Sequence, residues 1–259
     1  AVDPGVIGSD AIKQAFIYNT DTVSLNGNVA VLDTPAFLDP NSLGDDKNRP
    51  AVAQTFTEIA SGESVTVAVN HLKSKGSPCG AGDDDETTGQ GNCNGTRTAA
   101  ANALVTWLGT DPTGTGETDI LIIGDINAYS QEDPINAIET GGYTNLIETL
   151  APAGTYGYLF DGQLGNLDHA FASTALADRV TGTTVWNINA DEVNLLDYND
   201  TIRDDGEASF EAKPDALPLY TGDAYRSSDH DAVLVGLNLL GDVDPAGTPP
   251  RLFPEDGEE

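Results

Sequence analysis

"DILIIGDINAY", residues 119–129, is the stretch whose reading decides the fold. Ile120 to Ile123 are apolar without interruption, which marks a strand covered on both faces in a layered protein. Gly124 and the polar residues after it end that strand in a turn. Asp125 and Asn127 stand two apart at its mouth, so the period-2 geometry of a strand aims both side chains at one space. The competing reading is a turn whose Asp and Asn only satisfy nearby backbone groups.

Upstream, "VTVAVNHL" (65–72), "AVAQTFTEI" (51–59) and "AIKQAFIYN" (11–19) predict strands from their β-branched and aromatic content. Between them and the central strand, "GTRTAAANALVTWLG" (95–109) predicts a helix, with Leu104, Trp107 and Leu108 at helical spacing and Gly109 as its stop. Downstream, "EDPINAIETGG" predicts a short helix with Pro134 in its first turn, and further strands fall at 155–160, 166–173, 180–188 and 232–240. Strands and helices interleave without the strict βα repeat of a barrel or doubly wound sheet. The expectation is an α/β layered protein with mixed sheets. The polar stretch 190–223 reads as a long surface excursion, and "GDVDPAGTPPRLFPEDGEE" (241–259) as an acidic, proline-rich tail or linker, leaving 1–240 as the domain.

Composition narrows the setting. Of the 259 residues 39 % are hydrophobic, enough for a substantial core, and no run approaches a membrane span. Acidic residues outnumber basic ones 42 to 11, for a formal charge of −31. Such a field repels nucleic acid and anionic membrane at low salt, and it suits a saline environment, where the Debye length shrinks to roughly 3 Å at 1 M. Cys79 and Cys93 bracket a glycine-rich acidic loop. A disulfide would close that loop, the alternative being two unrelated free thiols. A disulfide, with no methionine in the chain, points to an oxidising exterior and a secreted protein, extracellular or periplasmic.

The three histidines, His71, His169 and His230, each lie beside Asn or Asp at a strand end, in "VNHLKSK", "NLDHAFAS" and "SSDHDAVLVG". Alternation places Asp168 and His169 on opposite faces, with His169 the structural one beside Phe171. The candidate site is then Asn70, His71, Asp125, Asn127, Asp168, Asp229 and His230. Hard oxygen ligands for Mg²⁺, Mn²⁺ or Ca²⁺, a base for water and imidazoles for a pentacovalent phosphate suit phosphodiester hydrolysis. The chain has no Walker A loop, HExxH, GxSxG elbow or cysteine nucleophile with a partnering base.

In order, "NHLKSKG", "GDINAY", "LDHAFAS" and "RSSDHDAVLVGL" resemble the successive signatures of the endonuclease/exonuclease/phosphatase superfamily, the DNase I-like proteins, over about residues 10–240. The cysteine-flanked insert ahead of "TRTAAANALVTWL" is similar to that of secreted bacterial nucleases in the superfamily. The resemblance implies a DNase I-like layered α/β sandwich and a metal-dependent nuclease acting on DNA or RNA with little sequence preference. In it Asp125 orients or deprotonates the attacking water, and Asn127 helps to hold water and phosphate. His230 stabilises phosphate oxygens with Asp168 orienting a site histidine, and His71 lies near the leaving oxygen. It implies Asp229, with Asp125 and Asn127, as metal ligands, Mg²⁺ first among the candidates. Asn70, Lys73, Lys75 and Arg226 fall on the substrate side, where lysines contact a nucleic-acid backbone without reading sequence. The alternative for Lys73 and Lys75 is snorkelling at a strand end.

Members of the superfamily begin with an asparagine-bearing strand and an acidic motif whose glutamate is the principal metal ligand. Only nine residues precede the match here, so the expectation is a domain incomplete at its N-terminus, a monomer with weak catalysis or none and an exposed apolar sheet face. Two other readings stay open. A lipid phosphodiesterase resembling sphingomyelinases calls for an exposed aromatic hairpin, which the sequence does not announce, and a non-catalytic module would use "GDDDE" (82–86) and "GDVD" (241–244) for calcium.

Overall fold

The computed structural model describes residues 1–42, 44–80, 82–84, 89–196, 201–202, 211–212 and 224–239. The expected tail 241–259, and with it "GDVD", lies outside the described residues, as does most of the excursion over 197–223.

In chain order the elements begin with β1 (Val23–Leu32), α1 (Pro35–Leu38), β2 (Ala51–Glu58), β3 (Ser64–His71), α2 (Asn94–Leu108) and β4 (Ile120–Asp125). They continue with α3 (Asp133–Thr140), β5 (Tyr143–Asn145), α4 (Leu146–Leu150), β6 (Tyr158–Phe160), β7 (Gln163–Gly165) and β8 (Asp168–Ser173). Last come α5 (Thr174–Ala177), β9 (Val180–Trp186), β10 (Thr201–Ile202), β11 (Glu211–Ala212) and β12 (Ala232–Leu237). Six strands form one mixed sheet in the order β1-β2-β3-β4-β8-β5, in which only β3 and β4 run parallel, joined by the crossover through α2. A second sheet is the antiparallel pair β12-β9, and β6-β7 is a separate hairpin.

Alternation along the strands builds the layers. Ala68, Ile122 and Phe171 face α2 and α3, where Leu104, Leu108, Ile135 and Ile138 complete the main core. Val65, Leu121, Ala170 and Ala172 face the other way, against Val233, Val235 and Leu237 of β12. This is the α/β sandwich expected from the sequence.

Two expectations are corrected. Residues 11–19 do not form a strand; apart from the single bridge between Val2 and Phe16 they run unpaired, with Ile12 and Ile17 exposed. The edge strand is instead β1, whose mostly exposed face left no apolar alternation to read. The sheet face expected to lie open is also covered: Val2 and Phe16 pack on Val52 and Phe56, with Val67 and Val69 half-buried beneath them.

Candidate active site

Register brings the motifs together. His71 on β3 pairs with Asp125 on β4, and Asp125 pairs with Asp168 on β8, so three site residues stand side by side on adjacent strands. They share the face that packs on the second sheet, whose strand β12 begins directly after His230 and Asp231. The four side chains meet in a cavity of about 600 Å³, which Asn70, Asn127, Tyr158 and Asp229 also line. Gly124 makes the close approach possible: its φ is +118°, and a Cβ there would lie 2.2 Å from the carbonyl oxygen of Asn70.

Asp125 is held from below. Its Oδ1 accepts from the Asn127 backbone N–H at 2.7 Å and its Oδ2 from Asn127 Nδ2 at 2.9 Å. Asn127 sits at φ +53°, in the left-handed region that Asn tolerates, and its Nδ2 also donates to the Leu72 carbonyl at 2.9 Å. The turn reading therefore holds, since the Nδ2 of the amide that the resemblance assigned to water and phosphate is divided between Asp125 and the Leu72 carbonyl. Burial, then the charge of Asp168, pushes the Asp125 carboxyl up to about 7. Burial, helped by the charge of Arg49, holds His71 down at about 4. His71 is thus neutral at pH 7, and its 3.4 Å approach to Asp125 Oδ2 is not an ion pair. Burial also works against a charged His230, but the hydrogen bond from its Nδ1 to Asp168 Oδ2 and the nearby carboxylates outweigh it and raise His230 to about 9. His169 is fully buried between Ala128 O (2.9 Å) and Asn145, a structural residue as expected.

Asp125, Asp168 and His230 offer ligand atoms within 4.8 Å of one another, the only such group of three among the described residues. Two mutually repelling carboxylates fit a hard divalent cation, and Mg²⁺ commonly takes one or two carboxylates, the rest of its shell being water and substrate oxygens. Asn70 Oδ1 and Gln14 Oε1, buried on the cavity wall without hydrogen-bond partners, fit the same need for neutral oxygens. Charged His230 suits it poorly, and Asp229 is exposed at the cavity and outside the group of three.

The basic residues divide. Lys75 pairs with buried Glu132 and lies 4.7 Å over the Tyr129 ring, so its place on the substrate side is corrected to a structural one. Arg226 is corrected likewise: it is buried, and its Nη1 donates to the Asn189 carbonyl at 2.8 Å. Lys73 donates to the neighbouring Ser74 Oγ at 2.9 Å, and among the described residues its ammonium meets no carboxylate.

Three features escaped the sequence reading. Asp231 is swallowed by the backbone amides of Ile188, Asn189 and Ala190 at 3.0, 2.7 and 3.2 Å, while Asn189 Nδ2 donates to the His230 carbonyl at 2.9 Å. The second Asp of "SSDHD" was the available signal. Asp83 caps α2 from a distance by accepting from the N–H groups of Gly95 (2.6 Å) and Thr96 (2.8 Å), and Asp84 accepts from Cys79 and Gly80. Neither carboxylate is left for the calcium reading of "GDDDE", whose Asp85 and Glu86 lie outside the described residues. The β6–β7 hairpin supplies the exposed aromatic element that the sequence did not announce, with Leu159, Phe160 and Leu164 all exposed. The disulfide is present: Cys79 and Cys93 are bonded, with their Cα atoms 5.4 Å apart. Among the described residues no helix is long and apolar enough to cross a membrane.

No family model and no curated relative matches the chain. Among solved structures, an endonuclease/exonuclease/phosphatase family protein of Bacteroides thetaiotaomicron superposes with a TM-score of 0.50 at 19 % identity, over 84 % of this chain and 66 % of that one. A mannosyl-6-phosphatase of the same organism superposes with a TM-score of 0.51, also at 19 % identity, over 85 % of this chain and 69 % of that one. The architecture is the DNase I-like fold shared by endonuclease/exonuclease/phosphatase proteins, and the chain spans about two thirds of the length of these structures.

Proposed function

We propose that this site belongs to a secreted, metal-assisted phosphodiesterase that hydrolyses DNA or RNA strands with little sequence preference. The supporting observation is the meeting of Asp125, Asp168, His230 and His71 in one cavity with their protonation states divided. The Asn127 backbone and side-chain N–H groups keep the Asp125 carboxyl, held at about 7 before a cation binds, aimed so that it can orient the attacking water. Protonated His230, braced by Asp168, presents a fixed positive charge to the phosphoryl oxygens as negative charge develops on them. Neutral His71 can orient the water or the leaving oxygen. Asp125 and Asp168, with Asn70 and Gln14 oxygens nearby, would hold a divalent cation, which supplies Lewis-acid stabilisation of the phosphoryl group. Among the described residues, Lys73 is a cation without a carboxylate partner and can meet a strand's backbone.

Secretion is drawn from the disulfide, and a saline setting from the charge of −31. The test is cleavage of supercoiled plasmid and single-stranded RNA with Mg²⁺, Mn²⁺ or Ca²⁺ across a salt series. It uses this chain and the same chain extended upstream by its gene sequence, because two carboxylates give only part of a cation's oxygen shell. Metal-dependent cleavage lost in Asp125→Asn supports the reading. Cleavage retained by that variant, or none in either form, overturns it.

A further inference from the structure

The hairpin beside the cavity carries an aromatic face that the hydrolytic residues do not use. Tyr158 and Phe160 alternate onto the same side of β6, and their rings are nearly parallel, 9° apart with centroids 6.4 Å from one another. Tyr158 lines the cavity and rests against His230, the two ring centroids being 4.6 Å apart. Phe160 continues this face outward and is 58 % exposed. The hairpin is rooted rather than loose. Its base is fastened by the bridge between Tyr158 and His230, by the Asp231 N–H to Gly157 O bond at 2.8 Å and by the Gly157 N–H to Gly165 O bond at 3.0 Å. Gly165, opposite Tyr158, lets the Tyr129 ring pack so closely that a Cβ there would lie 2.6 Å from it.

We infer that Tyr158 and Phe160 form a stacking platform for the nucleobase next to the phosphate held at His230, so that the ligand class is a nucleotide strand read by its π-face. The inference rests on the proposed phosphodiester site and deepens it. Charge strengthens the case. Proteins that hold nucleic acid by lysine and arginine draw their affinity from phosphate contacts and lose it in salt. Here Lys75 and Arg226 are committed inside the fold, and Lys13, Lys47 and Arg49 are each paired with an aspartate. A chain of net charge −31 therefore gains from a handle that is uncharged and indifferent to ionic strength, which base stacking on an aromatic ring provides. Stacking also tolerates any base, in keeping with low sequence preference.

The test separates the base from the backbone. With cleavage suppressed by Asp125→Asn, fluorescence anisotropy is measured for a short labelled single-stranded oligonucleotide and for the same strand made wholly of abasic sites, across a salt series. The base-bearing strand should bind more tightly, and Phe160→Ala should weaken it roughly tenfold while leaving the abasic strand unchanged and Phe160→Tyr near wild type. Leu164→Ala, on the opposite face of the hairpin, should leave the preference for bases intact. Equal affinity for both strands, an equal loss on both in Phe160→Ala, or no binding of either overturns the platform. Adsorption to phosphatidylcholine vesicles that falls alike in Phe160→Ala and Leu164→Ala, without a base preference, overturns it in favour of a lipid-facing hairpin. Plasmid cleavage by the wild type beside equal binding of the base-bearing and abasic strands refutes the platform alone, whereas base-dependent binding without any cleavage leaves the platform and removes the hydrolytic reading.

Discussion

Asp125→Asn should alter how stability depends on pH more than it alters stability itself. In the native protein this carboxyl titrates near 7, against an ordinary value of 3.8. Between those two values the folded chain keeps a proton that the unfolded chain has released, so the unfolded state binds fewer protons and stability falls as pH rises. The contribution is fully present below the ordinary value and is gone above about 7. A gap of about three pKa units corresponds to about 4 kcal/mol. The asparagine variant cannot titrate. Its Oδ1 can still accept from the Asn127 N–H, but its Nδ2 meets another donor, Asn127 Nδ2, a mismatch worth about 1–3 kcal/mol at every pH. Urea denaturation of both proteins without metal, from about pH 4 to about pH 8, isolates the linkage from this constant offset. The difference in unfolding free energy should drift by about 3–4 kcal/mol in favour of the variant as pH rises. His230 lies in a later window, its contribution fully present below its ordinary 6.5 and lost between there and about 9. Parallel curves for the two proteins between pH 4 and 7 would refute the buried, destabilised carboxyl.

The remaining expectations concern the scaffold and the site's cation. Cys79→Ser opens a loop of 14 residues' separation and should cost about 3 kcal/mol under oxidising conditions; in reductant the two proteins should coincide, and an equal deficit there would contradict the role of the bond. Gly124→Ala drives a methyl into Asn70's carbonyl at a φ reserved for glycine, so a loss above about 2 kcal/mol is expected in thermal unfolding, and a change within about 0.5 kcal/mol would show that β3 and β4 can part cheaply. Adding Mg²⁺ should raise the wild-type melting temperature more at pH 8 than at pH 5, where Asp125 is protonated, and a pH-independent shift would place the cation elsewhere.

What the sequence revealed follows from what a local pattern can carry. The buried run Ile120–Ile123, the alternation of β3 and the stripe of α2 each state their own burial, and each element formed where it was expected. His71, Asp125, Asp168 and His230 were legible because each sits at the end of such an element, and the strand register then had to bring them together. Partner choice was not legible. Lys75 lies 57 residues from Glu132, and nothing near "NHLKSKG" shows that its second lysine is already spent. Asp83 belongs to the glycine-rich acidic loop that also admitted a calcium reading, but it caps a helix that begins after the disulfide. Strand β1 shows little apolar alternation because its side chains are largely exposed, and the strand expected at 155–160 forms as β6 but gives no sign of the partner β7 that makes it an exposed hairpin, so only the tertiary fold reveals β1 and that pairing.

The grip on Asp231 has a consequence for how the protein can diverge. The Asp231 Oδ1 accepts from the main-chain amides of residues 188–190, which every amino acid except proline supplies, while its Oδ2 accepts from the Asn187 side-chain amide at 2.9 Å. Side chains at 188 and 190 are therefore free to drift, whereas Asn189, whose Nδ2 also holds the His230 carbonyl, and the length of the segment are not: one inserted residue would shift the amides off the carboxylate and unfasten the strand that carries His230. Swapping Ile188 and Ala190 for serine should be tolerated, whereas a single glycine inserted between them should abolish the site, as activity and unfolding measurements would show. A lineage under such a rule keeps its spacing and the two asparagines at 187 and 189 while the residues beside them drift, so kinship at this loop is better sought by counting residues around those anchors than by matching the whole segment.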